Sequence, residues 1–260
     1  MFEKAFLKLG ARVRIEESER ISTPVRIDIQ RDRWGEYFLL KHDSQRVLDL
    51  TVLDVRPKDR HLLLMARVGN EKQKFLCGHD ERHWFVAAIP ESAPVSNVAQ
   101  AKAALKPTAV REREEQSAIR EKHKDRRRNR AFVRQGEWFF TPEPALVVPE
   151  QLILKAEPLV RSRMGKPHFA EYCYRTGGEV VYVSPQAPEG LTEKAYRKHL
   201  RDDPSASRTT WRIMRRNPQV YVRGRITHPD HATVVLAVWH RVYMNTETQA
   251  KANAAVIFLD

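Results

Sequence analysis

The chain has 260 residues, 42% apolar and 30% charged, with 46 Lys+Arg against 33 Asp+Glu for a formal net charge of +13. That is enough apolar material for one large domain or two small ones, which excludes wholesale disorder, and a balance this basic favours an anionic partner, nucleic acid ahead of a membrane surface or an acidic protein. Its two cysteines, Cys77 and Cys173, exclude a disulfide framework and a repeated CxxC zinc pattern.

Those cysteines fit a reducing, cytoplasmic setting. The start, "MFEKAFLKLGARVRI", has no apolar run long enough for a signal peptide. No segment approaches the ~18 apolar residues a membrane span needs, so no membrane partner is expected.

Residues 1–95 read as a β-meander or small barrel. "VRIDIQ" and "EYFLLK" flank Arg33-Trp34-Gly35 as a hairpin. "RVLDLTVLDV" and "HLLLMARV" are apolar, partly β-branched runs joined by a "RPKD" turn. "VGNEKQKFLC" turns at Gly69-Asn70, and "HWFVAAIP" reads as a further strand.

Composition changes over residues 96–130, a helical and strongly basic linker. "SNVAQAKAALK" is rich in helix formers, with Ser96 as N-cap and Pro107 as terminator. "TAVREREEQSAIREKHKDRRRNR" has almost no apolar face beyond Val110, Ala118 and Ile119. Its first half can form pairs such as Arg111 with Glu115. In its second half Lys122, Lys124, Arg126, Arg127, Arg128 and Arg130 meet few acids, as in a solvated linker or a basic arm laid along phosphates.

Residues 131–260 read as a β-rich α+β domain ending in a long hairpin. "EWFFTP", "QLILKAEP", "HFAEYCYR" and "EVVYVS" are strand-like, the last two joined at Thr176-Gly177-Gly178. "LTEKAYRKHL" is a short helix capped by Thr192. "QVYVRGRI" and "ATVVLAVWHRVYM" make the strongest hairpin, and "KANAAVIFLD" is a last strand. The expected class is α+β, predominantly antiparallel, two β-rich regions joined by a basic helical linker.

No acidic residue falls between Asp203 and Asp230, an interval holding Arg208, Arg212, Arg215, Arg216, Arg223 and Arg225 with Trp211 and Tyr221 among them. Arginine can donate two parallel hydrogen bonds to phosphate, and neighbouring aromatic rings can stack on unpaired bases. The competing reading makes Trp211 and Tyr221 half-buried core. The leading expectation is a cytoplasmic nucleic-acid-binding protein that prefers single-stranded or structured RNA to duplex DNA.

Two histidine clusters carry the alternative. "CGHDERHWF" places Cys77, His79, Asp80, Glu81, Arg82 and His83 where one strand ends and another begins. "RITHPDHATVVLAVWH" puts His228 and His231 on either side of a Pro229-Asp230 turn. His240 lies about 30 Å further along the strand, at ~3.3 Å per residue, too far to complete a compact site with them. Were the two clusters to meet, His79, His83, His228 and His231 would be acid–base candidates of a nuclease or phosphoesterase, metal-independent or metal-assisted, with Arg82, Arg223 and Arg225 holding phosphate. No cofactor is predicted, and a divalent metal at the turn would need ligands from elsewhere. A third reading is a structural subunit of a ribonucleoprotein.

A two-residue hairpin loop at Pro229-Asp230 sets Ile226 opposite Thr233 and Val222 opposite Ala237. One face then holds Val220, Val222, Ile226, Val235 and Trp239, and the other Tyr221, Arg223, Arg225, Val234, Leu236, Val238 and His240.

Overall fold

The computed structural model describes residues 2–18, 23, 25–160, 166–250 and 258–259. It is an α+β fold with mostly antiparallel sheets, as expected. Two compact units divide the chain. The first comprises 1–139, 229–232 and 243–254, and the second 140–228, 233–242 and 255–260.

The first unit opens with helix α1 (Phe2–Lys8) and strand β1 (Val13–Ser18). Neither is expected from the pattern. A seven-residue helix is too short to display a period, and "VRIEES" is largely exposed. Strands β2 (Val25–Asp32) and β3 (Gly35–Asp43) form the expected hairpin across Arg33-Trp34, and β1 adds parallel to β3. A second sheet is the meander of β4 (Leu48–Arg56), β5 (His61–Val68), β6 (Glu71–Asp80) and β7 (His83–Ile89), every neighbouring pair antiparallel.

The run Leu62-Leu63-Leu64 on β5 is continuous rather than alternating because both faces of its sheet are covered. Leu62 and Leu64 pack with Phe6 and Phe38, while Leu63 packs with Val98, Ala101 and Leu105 from the helical segment. Helix α2 (Val98–Ala104) starts at Asn97, whose side chain accepts from the Gln100 amide at 2.9 Å. Ser96, the expected cap, instead donates its hydroxyl to Gln100 Oε1 at 2.9 Å.

Helices α3 (Thr108–Gln116) and α4 (Glu121–Lys124) follow. Val110 is fully buried with Ala131, Phe132 and Phe139, so a face with one apolar residue still packs in the first unit. Beside it a buried ion pair forms, Lys106 Nζ donating to Glu114 Oε1 at 3.0 Å and to the Lys124 carbonyl at 2.7 Å. Arg111 bonds Thr108 Oγ1 at 3.2 Å rather than the expected Glu115. Strands β8 (Val133–Gln135) and β9 (Trp138–Pro142) follow, on either side of Gly136.

In the second unit β10 (Leu154–Leu159), β11 (His168–Thr176), β15 (Gln219–His228) and β16 (His231–Met244) lie side by side in that order, with residues 233–242 of β16 belonging to this unit. A second sheet joins β12 (Glu179–Ser184), β13 (Ala187–Thr192), β14 (Arg212–Arg216) and β17 (Phe258–Leu259) in the order β13-β12-β14-β17. "HFAEYCYR" and "EVVYVS" are strands joined at Thr176-Gly177-Gly178, as expected, but they do not pair with each other: β12 pairs with β13 and β14. Gly177 and Gly178 both have positive φ, 68° and 79°, and turn the chain from one sheet into the other. Helix α5 (Glu193–Asp202) is capped by Thr192 as expected, its hydroxyl accepting from the Ala195 amide. The expected final strand survives as β17, and residues 251–257 and 260 lie outside the described residues.

The β15–β16 loop has the two-residue length expected, but the two faces do not follow simple alternation. A bulge interrupts β15: Tyr172 pairs with Arg223 and Ala170 with Ile226, so Glu171 stands opposite both Gly224 and Arg225. Gly224 has φ +83°, and a Cβ there would lie 2.6 Å from Glu171 Oε2, whose oxygen accepts from the Arg225 amide at 2.8 Å. On β16, Val235 is 61% exposed and Leu236 only 2%, the reverse of the two-residue-loop arithmetic.

The buried ion pair yields a stability test. Lys106→Ala leaves Glu114 charged and buried and is expected to cost about 3–5 kcal/mol in urea unfolding. The double replacement Lys106→Met with Glu114→Leu should recover most of that loss.

Candidate functional site

Two clusters of charged and aromatic side chains stand out, one in each unit. In the first unit the β6–β7 turn consists of Glu81 and Arg82, with Asp80 paired to His83. Glu81 adopts φ +49°, a conformation strained for a residue with a Cβ and held here by its side-chain partners. Its carboxylate accepts from Arg127 and, at 2.8 Å, from the Ala232 amide, and lies 3.7 Å from His231 Nδ1. Asp80 binds Arg127 as well and takes Arg134 Nη2 at 3.2 Å. Two carboxylates and two guanidiniums thus balance at one turn.

On the same turn Glu36 Oε1 lies 2.6 Å from His83 Nδ1, and its Oε2 accepts from the Trp84 amide at 3.0 Å. Burial pushes the Glu36 carboxyl up, but the Trp84 amide and His83 outweigh it and hold the group below its ordinary value. His79 packs edge-on against Trp84 with ring centroids 5.0 Å apart, and the Arg60 guanidinium lies 4.4 Å from the Trp84 ring centroid. Burial first and Arg60 second lower the His79 pKa, which favours a neutral ring. Cys77 is buried in the core, where burial pushes its thiol well up, so it offers no thiolate ligand.

The second unit carries the arginines. Arg223 stands opposite Tyr172 across the β11–β15 pair, its guanidinium 5.4 Å from that ring and 5.0 Å from the Trp239 ring. Next along the ladder Tyr174 opposes Tyr221, with ring centroids 6.0 Å apart. Arg208, Arg212, Arg215 and Arg225 are exposed, whereas Arg216 is half-buried and bonded to Glu179. Trp211 is half-buried, donating its indole N–H to the Ala206 carbonyl at 2.9 Å and packing edge-on to Tyr196 at 4.9 Å. Tyr196 in turn stacks on Tyr182 at 4.0 Å. His228 stacks on His168 with centroids 4.2 Å apart and planes 23° apart.

No protein-family model, curated protein or solved structure matches this chain. Its chemistry therefore rests on the geometry alone. Among the described residues no helix is long and apolar enough to cross a membrane.

The two histidines that flank the β15–β16 turn take different partners. His231 meets the first cluster through Glu81, whereas His228 faces His168. His79 and His83 flank the β6–β7 turn as expected, each committed to a neighbour, Trp84 and Glu36. In the basic segment Lys122, Arg126, Arg128 and Arg130 are exposed, and Lys124 pairs with Glu121 at 2.8 Å. Arg127 is bound to Asp80 and Glu81.

Sequence reasoning missed His168, Glu36 and the cations of α5. His168 opens "HFAEYCYR" and becomes visible only once the β11–β15 register is known. Glu36 lies 47 residues from His83 and gives no local signal. The α5 cations were legible: Lys194, Arg197, Lys198 and Arg201 repeat at helical spacing, and all four are exposed.

Two outcomes follow. Arg127→Ala leaves Asp80 and Glu81 without their shared cation and should cost about 1–3 kcal/mol in urea unfolding. The Glu36 carboxyl, lowered in the fold, contributes stability above its ordinary value of 4.5 and loses it as pH falls through the lower folded value. The stability gap between the native chain and Glu36→Gln should therefore shrink between about pH 6 and pH 3 in acid-titrated urea curves.

Proposed function

We propose that the chain binds single-stranded or structured RNA, with the exposed cations of the second unit as the main phosphate-binding surface. The observation that carries this reading is the pairing of two basic elements. Helix α5 turns Lys194, Arg197, Lys198 and Arg201 outward, and it packs against β12, in the same sheet as β14, which exposes Arg212 and Arg215. Among the described residues, Arg197 is the one α5 cation with an acidic partner, Glu193 one turn back. Exposed Ile213, between Arg212 and Arg215, adds an apolar surface on which a base can rest.

Phosphate contacts from such a surface fix affinity, and ring or apolar contacts add tolerance of sequence. Arginine suits the role because its planar fork holds phosphate bidentately and also stacks. The Tyr172–Arg223–Trp239 and Tyr174–Tyr221 contacts are a further aromatic ladder on the same unit. Lys122, Arg126, Arg128 and Arg130 are a second, independent basic patch on the first unit. Cytoplasmic residence and assembly with a larger ribonucleoprotein remain part of the same proposal.

A hydrolytic reading has one supporting observation, the Glu36 carboxylate beside His83 Nδ1, which is how a carboxylate orients a general base. The Asp80, Glu81, Arg127 and Arg134 network, by contrast, is charge-balanced and serves the turn. Binding is therefore the preferred reading.

Fluorescence anisotropy with a labelled single-stranded RNA tests it. If about six phosphates are neutralised, log K against log salt should fall with a slope near −4. Replacing Arg208, Arg212 and Arg215 together with Gln should flatten that slope by about two units, whereas Arg127→Ala should leave it unchanged. No binding at low salt, or binding indifferent to salt, overturns the proposal. RNA cleavage that disappears in His83→Ala establishes the hydrolytic reading instead.

A further inference from the structure

We infer that His168 and His228 form a two-histidine site for a divalent transition-metal ion of the zinc class. The inference is independent of RNA binding. His168 is buried at the start of β11, and His228 is half-buried at the end of β15. Their rings lie face to face, and each offers a nitrogen within 4.8 Å of the other. Two nitrogens at about 2.0–2.1 Å from a common ion stand closer than about 4.2 Å, so the rings must turn out of their stack to aim both lone pairs at one ion.

The pairing depends on the β15 bulge. Carried on without the extra residue, the register set by Tyr172 and Arg223 would put His168 opposite Thr227. With the bulge Phe169 pairs with Thr227, and His228 falls opposite His168. Bulges often re-aim side chains beside a site. His228 Nε2 also lies 3.3 Å from the Lys166 carbonyl oxygen. An N–H there donates to that oxygen, the kind of outer-shell bond that orients a ligating imidazole.

Imidazole is a good ligand for zinc, nickel and copper, and unlike thiolate it does not demand a tetrahedral sulfur set. Two neutral rings hold one ion, with water filling the remaining positions, whereas a proton on either ring competes directly with the metal. With two protein ligands and water in the remaining positions, the affinity falls below that of closed four-ligand structural sites.

The test is a calorimetric titration of the full chain, stripped with a chelator, using zinc chloride, repeated with cobalt(II) followed by its visible absorption. One ion per chain is expected. His168→Gln and His228→Gln should each weaken binding by at least the roughly 10–100-fold that loss of an outer-shell partner alone causes, while His42→Gln, on the first unit, should not. Binding should weaken as the pH is lowered, because protons compete with the metal for the imidazole nitrogens. Because His168 is buried, His228→Gln is the decisive variant and its fold is checked by circular dichroism. No binding, binding that survives His228→Gln, or loss of binding in His42→Gln overturns the inference. RNA affinity measured beside it in His228→Gln shows separately whether the two properties are linked.

Discussion

One carboxylate, Glu81, gathers segments of the first unit that are far apart in sequence. It sits on a two-residue turn in a left-handed conformation that a side chain adopts at a cost, and it faces Arg127, His231 and the Ala232 amide. A buried or half-buried carboxylate needs such donors, since each one removed leaves charge in a poorly solvated place. Asp80 beside it takes Arg127 and Arg134. Behind the turn an edge-to-face run of rings, Phe2, Phe6, Phe38, Trp84 and His79, connects it to helix α1. The turn is therefore fixed on its polar side by ion pairs and on its apolar side by packing, the combination that makes a strained backbone position tenable.

This arrangement sorts the positive charge of the chain into two kinds. Lys106, Arg127, Arg134 and Arg216 neutralise carboxylates within their own units. Lys194, Lys198, Arg201, Arg208, Arg212 and Arg225 are exposed on the second unit, as Lys122, Arg126 and Arg130 are on the first. A formal charge of +13 counts both kinds alike, yet only the second can exchange counterions for phosphates. That is the physical reason for placing the proposed RNA surface on α5 and β14 and for excluding Arg127 from it. Among the named arginines of "RRRNR", Arg127 looks the same as its neighbours in sequence, and only the fold tells them apart.

Most strands were legible because their signals are local. The hairpins β2–β3 and β4 to β7 follow alternating or continuous apolar runs broken by turn residues, and α5 follows its Thr192 cap. Less was legible where the deciding contact is distant. "HLLLMARV" shows burial but not that two different layers cover it. "TAVREREE" offers one large apolar residue, Val110, and the Lys106–Glu114 pair that buries its other face cannot be read from spacing. Gly177-Gly178 has the composition of a hairpin loop but joins two sheets. For the sites, the histidines flanking each turn could be named from sequence, whereas their partners Glu36, Glu81 and His168 required the register. The β15 bulge explains part of this. A single extra residue at Gly224-Arg225 shifts every later pairing by one position, and no period-two count contains it.

That bulge also shows how the second unit brings unlike chemistry onto one sheet. On one side of it, Arg223 is aligned with Tyr172, so the guanidinium lies between that ring and Trp239. On the other side, the shifted register aligns His228 with His168. A regular strand would satisfy one of these alignments and lose the other. Glycine is required at 224 because a Cβ would run into Glu171, and Glu171 is required because its carboxylate holds the Arg225 amide that the bulge leaves without its ladder partner. The arginine–aromatic ladder and the histidine pair are thus consequences of one local irregularity, whose own cost is met by a glycine and a carboxylate on adjacent strands.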